Sequence, residues 1–207
     1  MNIIEIEDLS FSYKDKPIFE KLSVRIPNNS INFLIGTNGS GKTTFLKILF
    51  FNNKKYLKTD DFQFIWEFQN LYEELTVLQN FKIFFHLNKK KNLEFEKELG
   101  KILKYFNIKE YLNKEVKKLS YGYKQRVLIA RSIMINPELL IIDEPFLGLD
   151  YSSYLSFLKI INDYNENTTF LISTQNPNTK TEFLNIFQRQ EKNKINLNEQ
   201  ITLFTIL

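Results

Sequence analysis

The sequence has no cysteine, so it can build neither a disulfide scaffold nor a thiolate metal site. Histidine is almost as scarce: His86 is the only one, which excludes a multi-histidine metal centre. Nowhere do about 18 apolar residues run together, so no segment reads as a membrane-spanning helix. Met1 is followed at once by the alternating Ile3-Ile4-Glu5-Ile6-Glu7, without the residue order of a secretory signal or the arginine-rich amphipathicity of a transit segment. A long basic block with interleaved aromatics is missing too. The net charge of +4 comes from 28 basic and 24 acidic residues spread along the chain, a mixed solvated surface rather than a nucleic-acid face. Lys89-Lys90-Lys91 reads as a loop between helices.

Glycine is also rare, and its distribution is informative. Three of the six glycines, Gly36, Gly39 and Gly41, fall within GTNGSGKTT at residues 36–44. Ahead of this stretch lie dense turn chemistry at Pro27-Asn28-Asn29-Ser30 and the mostly apolar run Ile31-Asn32-Phe33-Leu34-Ile35, as expected of a buried strand. Behind it, Thr43 to Phe50 carries apolar residues at helical spacing. Strand, G-x-x-x-x-G-K-[ST], helix is the context of a phosphate-binding loop. Its glycines let backbone N–H groups form an anion nest, and the helix start adds its positive end. In such a loop Lys42 reaches the β- and γ-phosphates and Thr43 ligates Mg²⁺.

With 207 residues and a hydrophobic share of 43%, the chain can bury a real core. Two short strands are predicted first, Ile3 to Glu7 and a segment through Leu22 to Ile26. After the loop and its helix, Thr76 to about Met134 is charged and helical in period. Leu139 to Ile142 and Phe170 to Ser173 read as further buried strands, separated by a helical stretch from Tyr151 to Tyr164. The alternation predicts an α/β domain with a mostly parallel sheet and helices on both faces. Residues 1–75 and 136–207 would form the core of a single domain, and 76–135 an inserted helical lobe.

Two further motifs follow. Glu138-Leu139-Leu140-Ile141-Ile142-Asp143-Glu144-Pro145 delivers carboxylates to the end of a buried strand, where an open α/β sheet places its ligand. Asp143 suits a Mg²⁺ shell, and Glu144 the polarisation of an attacking water. Leu119-Ser120-Tyr121-Gly122-Tyr123-Lys124-Gln125-Arg126 opens a helix at a serine cap. Gly148-Leu149-Asp150 comes later.

In this order the set resembles the ATP-binding cassette (ABC) ATPases over almost the whole chain. LSYGYKQR is similar to that family's signature, GLD to its D-loop, and Tyr13 in Phe11-Ser12-Tyr13 to the aromatic that stacks on adenine. The resemblance implies a P-loop NTPase fold with an N-terminal antiparallel β subdomain and an inserted α-helical subdomain. It implies ATP and Mg²⁺ as cofactors, with nucleotide held by Tyr13, Gly36, Thr37, Asn38, Gly39, Ser40, Gly41, Lys42, Thr43 and Thr44. Mg²⁺ falls to Thr43, Asp143 and Glu67, and catalysis to Glu144 and Gln175. Ser120 and Gly122, a second anion site at a helix start, would close on the ATP of another subunit in a head-to-tail homodimer.

Four positions depart from the family pattern. Gln175 stands where the family has histidine, and glutamine donates a hydrogen bond but cannot become cationic. The Q-loop position falls by spacing on Glu67, with Gln69 two residues away. Tyr123 replaces the usual signature glutamine, and Tyr121 a small residue.

One cassette and no membrane span fit the ATPase subunit of a transporter that needs a separate integral membrane partner and no nucleic acid. Phe68, Leu71 and Tyr72 are apolar candidates for contact with that partner. The short cassette, Asp143-Glu144-Pro145-Phe146 and the C-terminal strand from Ile201 to Leu207 look most like the haem exporter of cytochrome c maturation. The expected location is the cytoplasmic face of a bacterial inner membrane, or the matrix face of an organelle membrane for an organelle-encoded gene. The alternatives are a soluble ABC protein acting on ribosomes or DNA, and a nucleotide-binding subunit with little hydrolysis. Against the first stands the interval of only about 75 residues between phosphate loop and signature, which carries no sustained heptad.

Overall fold

The computed structural model describes residues 1–66, 71–88, 94–179 and 181–183, with the backbone of 201–205. They form two compact units: Met1–Phe64, Glu138–Glu144 and Asn165–Leu207 in the first, Ile65–Pro137 and Pro145–Tyr164 in the second.

The first unit opens with a long antiparallel hairpin, β1 (Asn2–Tyr13) and β2 (Lys16–Pro27), which pairs Ile6 with Val24 and Tyr13 with Lys16. Sequence patterning predicts two shorter strands here. Register shifts between Ile6 and Leu9 and again between Leu9 and Phe11 break the apolar alternation. The turn at Lys14 (φ 51°) uses a left-handed lysine instead of glycine, so neither the strand length nor the turn carries its usual signal.

β3 (Ile31–Ile35) is followed by α1 (Lys42–Phe51), a one-turn α2 (Asn53–Tyr56) and β4 (Phe62–Ile65). With β5 (Leu139–Ile142), β6 (Thr169–Thr174) and β7 (Ile201–Thr205) they build a sheet of order β4-β5-β6-β3-β7. The β3–β6, β3–β7 and β5–β6 pairs are parallel, as the alternation of elements predicts. Every residue of β3, β5 and β6 is buried, because a parallel sheet is covered on both faces. Each such Ile, Leu or Phe contributes about 1.5–3 kcal/mol of apolar burial. In register, Ile35 lies opposite Thr174 and Ile142 opposite Ile172, so the C-terminal ends of the three central strands share one edge.

The second unit is helical: α3 (Val77–Asn88), α4 (Phe95–Ile102), two single 3₁₀ turns (Lys109–Tyr111 and Val116–Lys118), α5 (Tyr121–Met134) and α6 (Tyr151–Tyr164). Val77, Phe81 and Phe85 of α3 and Val127 to Met134 of α5 supply its core. Buried Asn80 clasps the backbone of Tyr72, accepting from its N–H at 2.8 Å and donating to its carbonyl at 3.0 Å. The Arg131 guanidinium is buried 4.1 Å over the Phe84 ring, and burial pushes its pKa down to about 10. His86 is exposed on α3, stacked on Phe95.

Asp150 caps α6. Its carboxylate accepts from the Ser153 N–H at 2.8 Å and from the hydroxyls of Ser152 and Ser153. The Ser153 N–H foremost, then these hydroxyls, hold its carboxyl down to about 2. A depressed carboxyl pKa stabilises the fold above the unfolded value, about 4, and that contribution fades as pH falls toward 2. Asp150→Ala is expected to cost about 0.5–2 kcal/mol in urea unfolding at pH 7, with the difference from wild type shrinking below about pH 4.

Candidate nucleotide site

The phosphate-loop segment leaves β3 at Gly36, whose N–H reaches the Thr174 carbonyl at 3.4 Å. Gly39 (φ 82°) and Gly41 (φ 99°) take left-handed conformations. A Cβ at Gly41 would lie 2.8 Å from Ile18 Cγ2 and 3.1 Å from Phe19 Cζ, so both backbone and space demand glycine there. Gly41 is also the N-cap of α1 and offers no side-chain cap, which leaves the first helical N–H groups directed into the loop. Thr37, Asn38 and Gly39 are exposed, and Ser40 and Thr44 half-buried. The Ser40 hydroxyl is buried without a hydrogen-bond partner.

Lys42 is 6% exposed and points back into the loop, where its ammonium donates to the carbonyls of Gly36 (2.8 Å) and Thr37 (3.1 Å). The same Nζ lies 3.2 Å from Glu144 Oε1, a charge contact without hydrogen-bond geometry. Thr43 Oγ1 donates to Asp143 Oδ2 at 2.8 Å, joining residues 100 positions apart. Thus α1 and the end of β5 bring Lys42, Thr43, Asp143 and Glu144 together. Gln175 is exposed immediately beyond β6, at the same sheet edge.

A Thr hydroxyl against a carboxylate is a hard-oxygen pair of the kind Mg²⁺ takes alongside phosphate and water. Among the described residues no group of three His, Cys, Asp or Glu side chains clusters as a metal cage. The two-ligand arrangement therefore fits Mg²⁺ delivered with a nucleotide. The chemistry available is phosphate binding by backbone and ammonium, with a carboxylate beside it able to orient water.

Sequence reasoning missed Ser173. Its hydroxyl donates to Asp143 Oδ1 at 2.5 Å and accepts from the Glu144 N–H at 2.9 Å. The available signal is the polar pair Ser173-Thr174 closing an apolar strand, together with the parallel register that sets Ser173 one step beyond the Ile142–Ile172 pair. Tyr13, at the end of β1, is 54% exposed with its ring edge-on to Phe11. Glu67, Gln69 and Phe68 lie outside the described residues. Leu71 is buried and is not available to a partner, whereas Tyr72 is half exposed.

In the helical unit Ser120 occupies the N-cap of α5, but its side chain makes no capping bond, contrary to the serine-cap expectation. The residue is exposed. The α5 start packs closely on the Gly148-Leu149-Asp150 turn: a Cβ on Gly122 would meet the Gly148 carbonyl at 3.0 Å, and one on Gly148 (φ 76°) the Tyr121 ring at 2.8 Å. Arg126 pairs with Asp150 and lies 4.6 Å over the Tyr123 ring, which in turn packs at a tilt on Tyr111, 4.1 Å between ring centres. Tyr123 thus contributes aromatic packing where the resembled motif has a polar amide.

Residues 19–147 match the family model described as ABC transporter. The zinc import ATP-binding protein ZnuC of Ehrlichia canis is 33% identical over 167 residues, covering 77% of this chain and 67% of that protein. The lipoprotein-releasing system ATP-binding protein LolD of Buchnera aphidicola is 30% identical over 202 residues, covering 84% of this chain and 89% of that protein. A solved ATP-binding subunit of an ABC transporter superposes with a TM-score of 0.76 at 28% identity, covering 87% of this chain and 82% of that one. The chain belongs to the ABC transporter family and has the α/β P-loop fold of its ATP-binding subunits.

Proposed function

We propose that the chain is the ATP-hydrolysing subunit of a transporter whose membrane-spanning part is a separate protein, and that it works as a head-to-tail dimer. The observation that carries this reading is the convergence of Lys42, Thr43, Asp143 and Glu144 at one end of the sheet. Nucleotide binding moves the Lys42 ammonium from the Gly36 and Thr37 carbonyls and Glu144 to the β- and γ-phosphates. Thr43 and Asp143 are the residues that would hold Mg²⁺, with the position of Glu67 or Gln69 as a further ligand. When bound, Mg²⁺ neutralises charge on the phosphate oxygens. Glu144, released from Lys42, orients the attacking water, and the Gln175 amide donates to a γ-phosphate oxygen. Tyr13 stacks on adenine, and Ser120 with the Gly122 N–H closes the site of the neighbouring subunit.

Among the described residues no helix is long and apolar enough to cross a membrane. A peripheral place on the cytoplasmic face of a membrane follows from the need for a membrane partner. The cargo is chosen by that partner. Zinc import and lipoprotein release are the tasks in the names of two relatives, and haem export gains no support from them. The tagged chain purified from native membranes is expected to bring down a polytopic membrane protein; ribosomes or DNA in its place would contradict the reading.

Gln175 favours a second reading, a nucleotide-binding subunit with little hydrolysis. A charge-assisted transition-state contact contributes about 2–4 kcal/mol, or roughly 30- to 1000-fold in rate. Gln175→His is therefore expected to raise turnover in the complex by about 30-fold or more, read as steady-state phosphate release. Unchanged or lower turnover would show that the site is built around the amide.

A further inference from the structure

We propose that Ser173 is a positioning residue for the Mg-ATP site, orienting the Asp143 carboxylate and the Glu144 backbone with a single hydroxyl. The proposal rests on the Mg-ATP reading above and adds to it a residue that none of the motifs contains.

Ser173 sits in β6 and is completely buried, following the apolar Phe170-Leu171-Ile172. A buried hydroxyl is costly unless it is bonded, and this one is bonded twice. It donates to Asp143 Oδ1 at 2.5 Å, while Thr43 donates to Asp143 Oδ2 at 2.8 Å. With one oxygen held from β6 and the other from α1, the plane of the carboxylate is set from both sides. Asp143 and Thr43 would hold Mg²⁺, and the Ser173 hydroxyl, bonded to the other carboxylate oxygen, would keep Asp143 oriented without taking part in the ligation. Hydrogen-bond partners of ligating carboxylates act in this way, and their loss typically weakens metal affinity about 10- to 100-fold.

The same oxygen accepts the Glu144 N–H at 2.9 Å. Glu144 stands at φ 47°, in the left-handed region that a non-glycine residue adopts only when its surroundings hold it there. Ser173 is part of that hold. Through it the chain leaving β5 turns sharply after Asp143, which sends the Glu144 side chain toward Lys42. An alanine at residue 173 would fit the space but release both groups together.

The test is Mg²⁺ titration of mant-ATP fluorescence on the full chain, with nucleotide affinity measured separately in EDTA. Ser173→Ala is expected to raise the Mg²⁺ midpoint about tenfold or more, a much larger change than any in the EDTA affinity. Ser173→Thr, which keeps the hydroxyl, is expected to return the midpoint to the wild-type value. Ser173→Cys fills similar space with a weak donor and is expected to behave as Ala does, which covers the case in which the Ala variant does not fold. Equal Mg²⁺ midpoints in wild type and in the folded Ala or Cys variants would overturn the proposal. A wild-type chain that fails to bind mant-ATP at all would instead overturn the Mg-ATP reading itself.

Discussion

Lys42→Ala is expected to lower Mg-ATP affinity by about 100-fold or more. Hydrogen bonds from a charged group contribute about 1.5–3 kcal/mol each, and Lys42 is the only side-chain cation of the loop. In the free chain its ammonium already has three neighbours, the Gly36 and Thr37 carbonyls and the Glu144 carboxylate, so nucleotide binding exchanges these contacts for phosphate oxygens. Deleting the ammonium removes the phosphate partner and leaves Glu144, a carboxylate only partly exposed, without its counter-charge. A weaker fold is therefore an expected side effect, and thermal unfolding must show the variant folded before calorimetric titration with Mg-ATP is interpreted. Wild-type affinity in a folded Lys42→Ala protein would remove the phosphate-loop assignment.

Glu144→Gln is expected to act in the opposite sense on binding and in the same sense on turnover. The amide keeps the size of the side chain but cannot accept a proton from water, and loss of a general base typically slows a reaction about 10²- to 10⁴-fold. It also removes the negative charge 3.2 Å from Lys42, so the ammonium passes to phosphate without breaking an ion pair. Phosphate release should fall by about 100-fold or more while nucleotide affinity holds or improves. A protein that binds ATP but does not cleave it should accumulate in the closed dimer. Light scattering with Mg-ATP then reports twice the subunit mass, and a strictly monomeric Glu144→Gln protein, even with the membrane partner present, would argue against head-to-tail closure.

How far these features could be read from the residues depends on how local their causes are. The phosphate loop was legible because strand, glycine spacing and helix lie within a few residues, and its left-handed Gly39 and Gly41 are what the spacing requires. The buried strands β3, β5 and β6 were legible because strands covered on both faces are apolar at every step. The hairpin is longer than patterning predicts, because its bulges interrupt the alternation and its turn lacks glycine and proline. β4 escaped because Phe62-Gln63-Phe64-Ile65 is too short to display a period. Ser173 escaped for a different reason. Its partners lie about 30 residues away and are brought to it only by parallel pairing of β5 with β6. The missing cap bond at Ser120 is likewise invisible, since cap position and cap hydrogen bond look the same in a sequence.

The central claim, that the triphosphate held at residues 36–44 is cleaved with Glu144 as the water-orienting group, is tested most directly by phosphate release. Wild type and Glu144→Gln, each reconstituted with the membrane partner and Mg-ATP, are compared side by side. The account predicts slow steady release from wild type, clearly above the variant and dependent on Mg²⁺. Equal release from the two would contradict it: the chain would then bind ATP without using it, and the reading as a nucleotide-binding subunit with little hydrolysis would stand in its place.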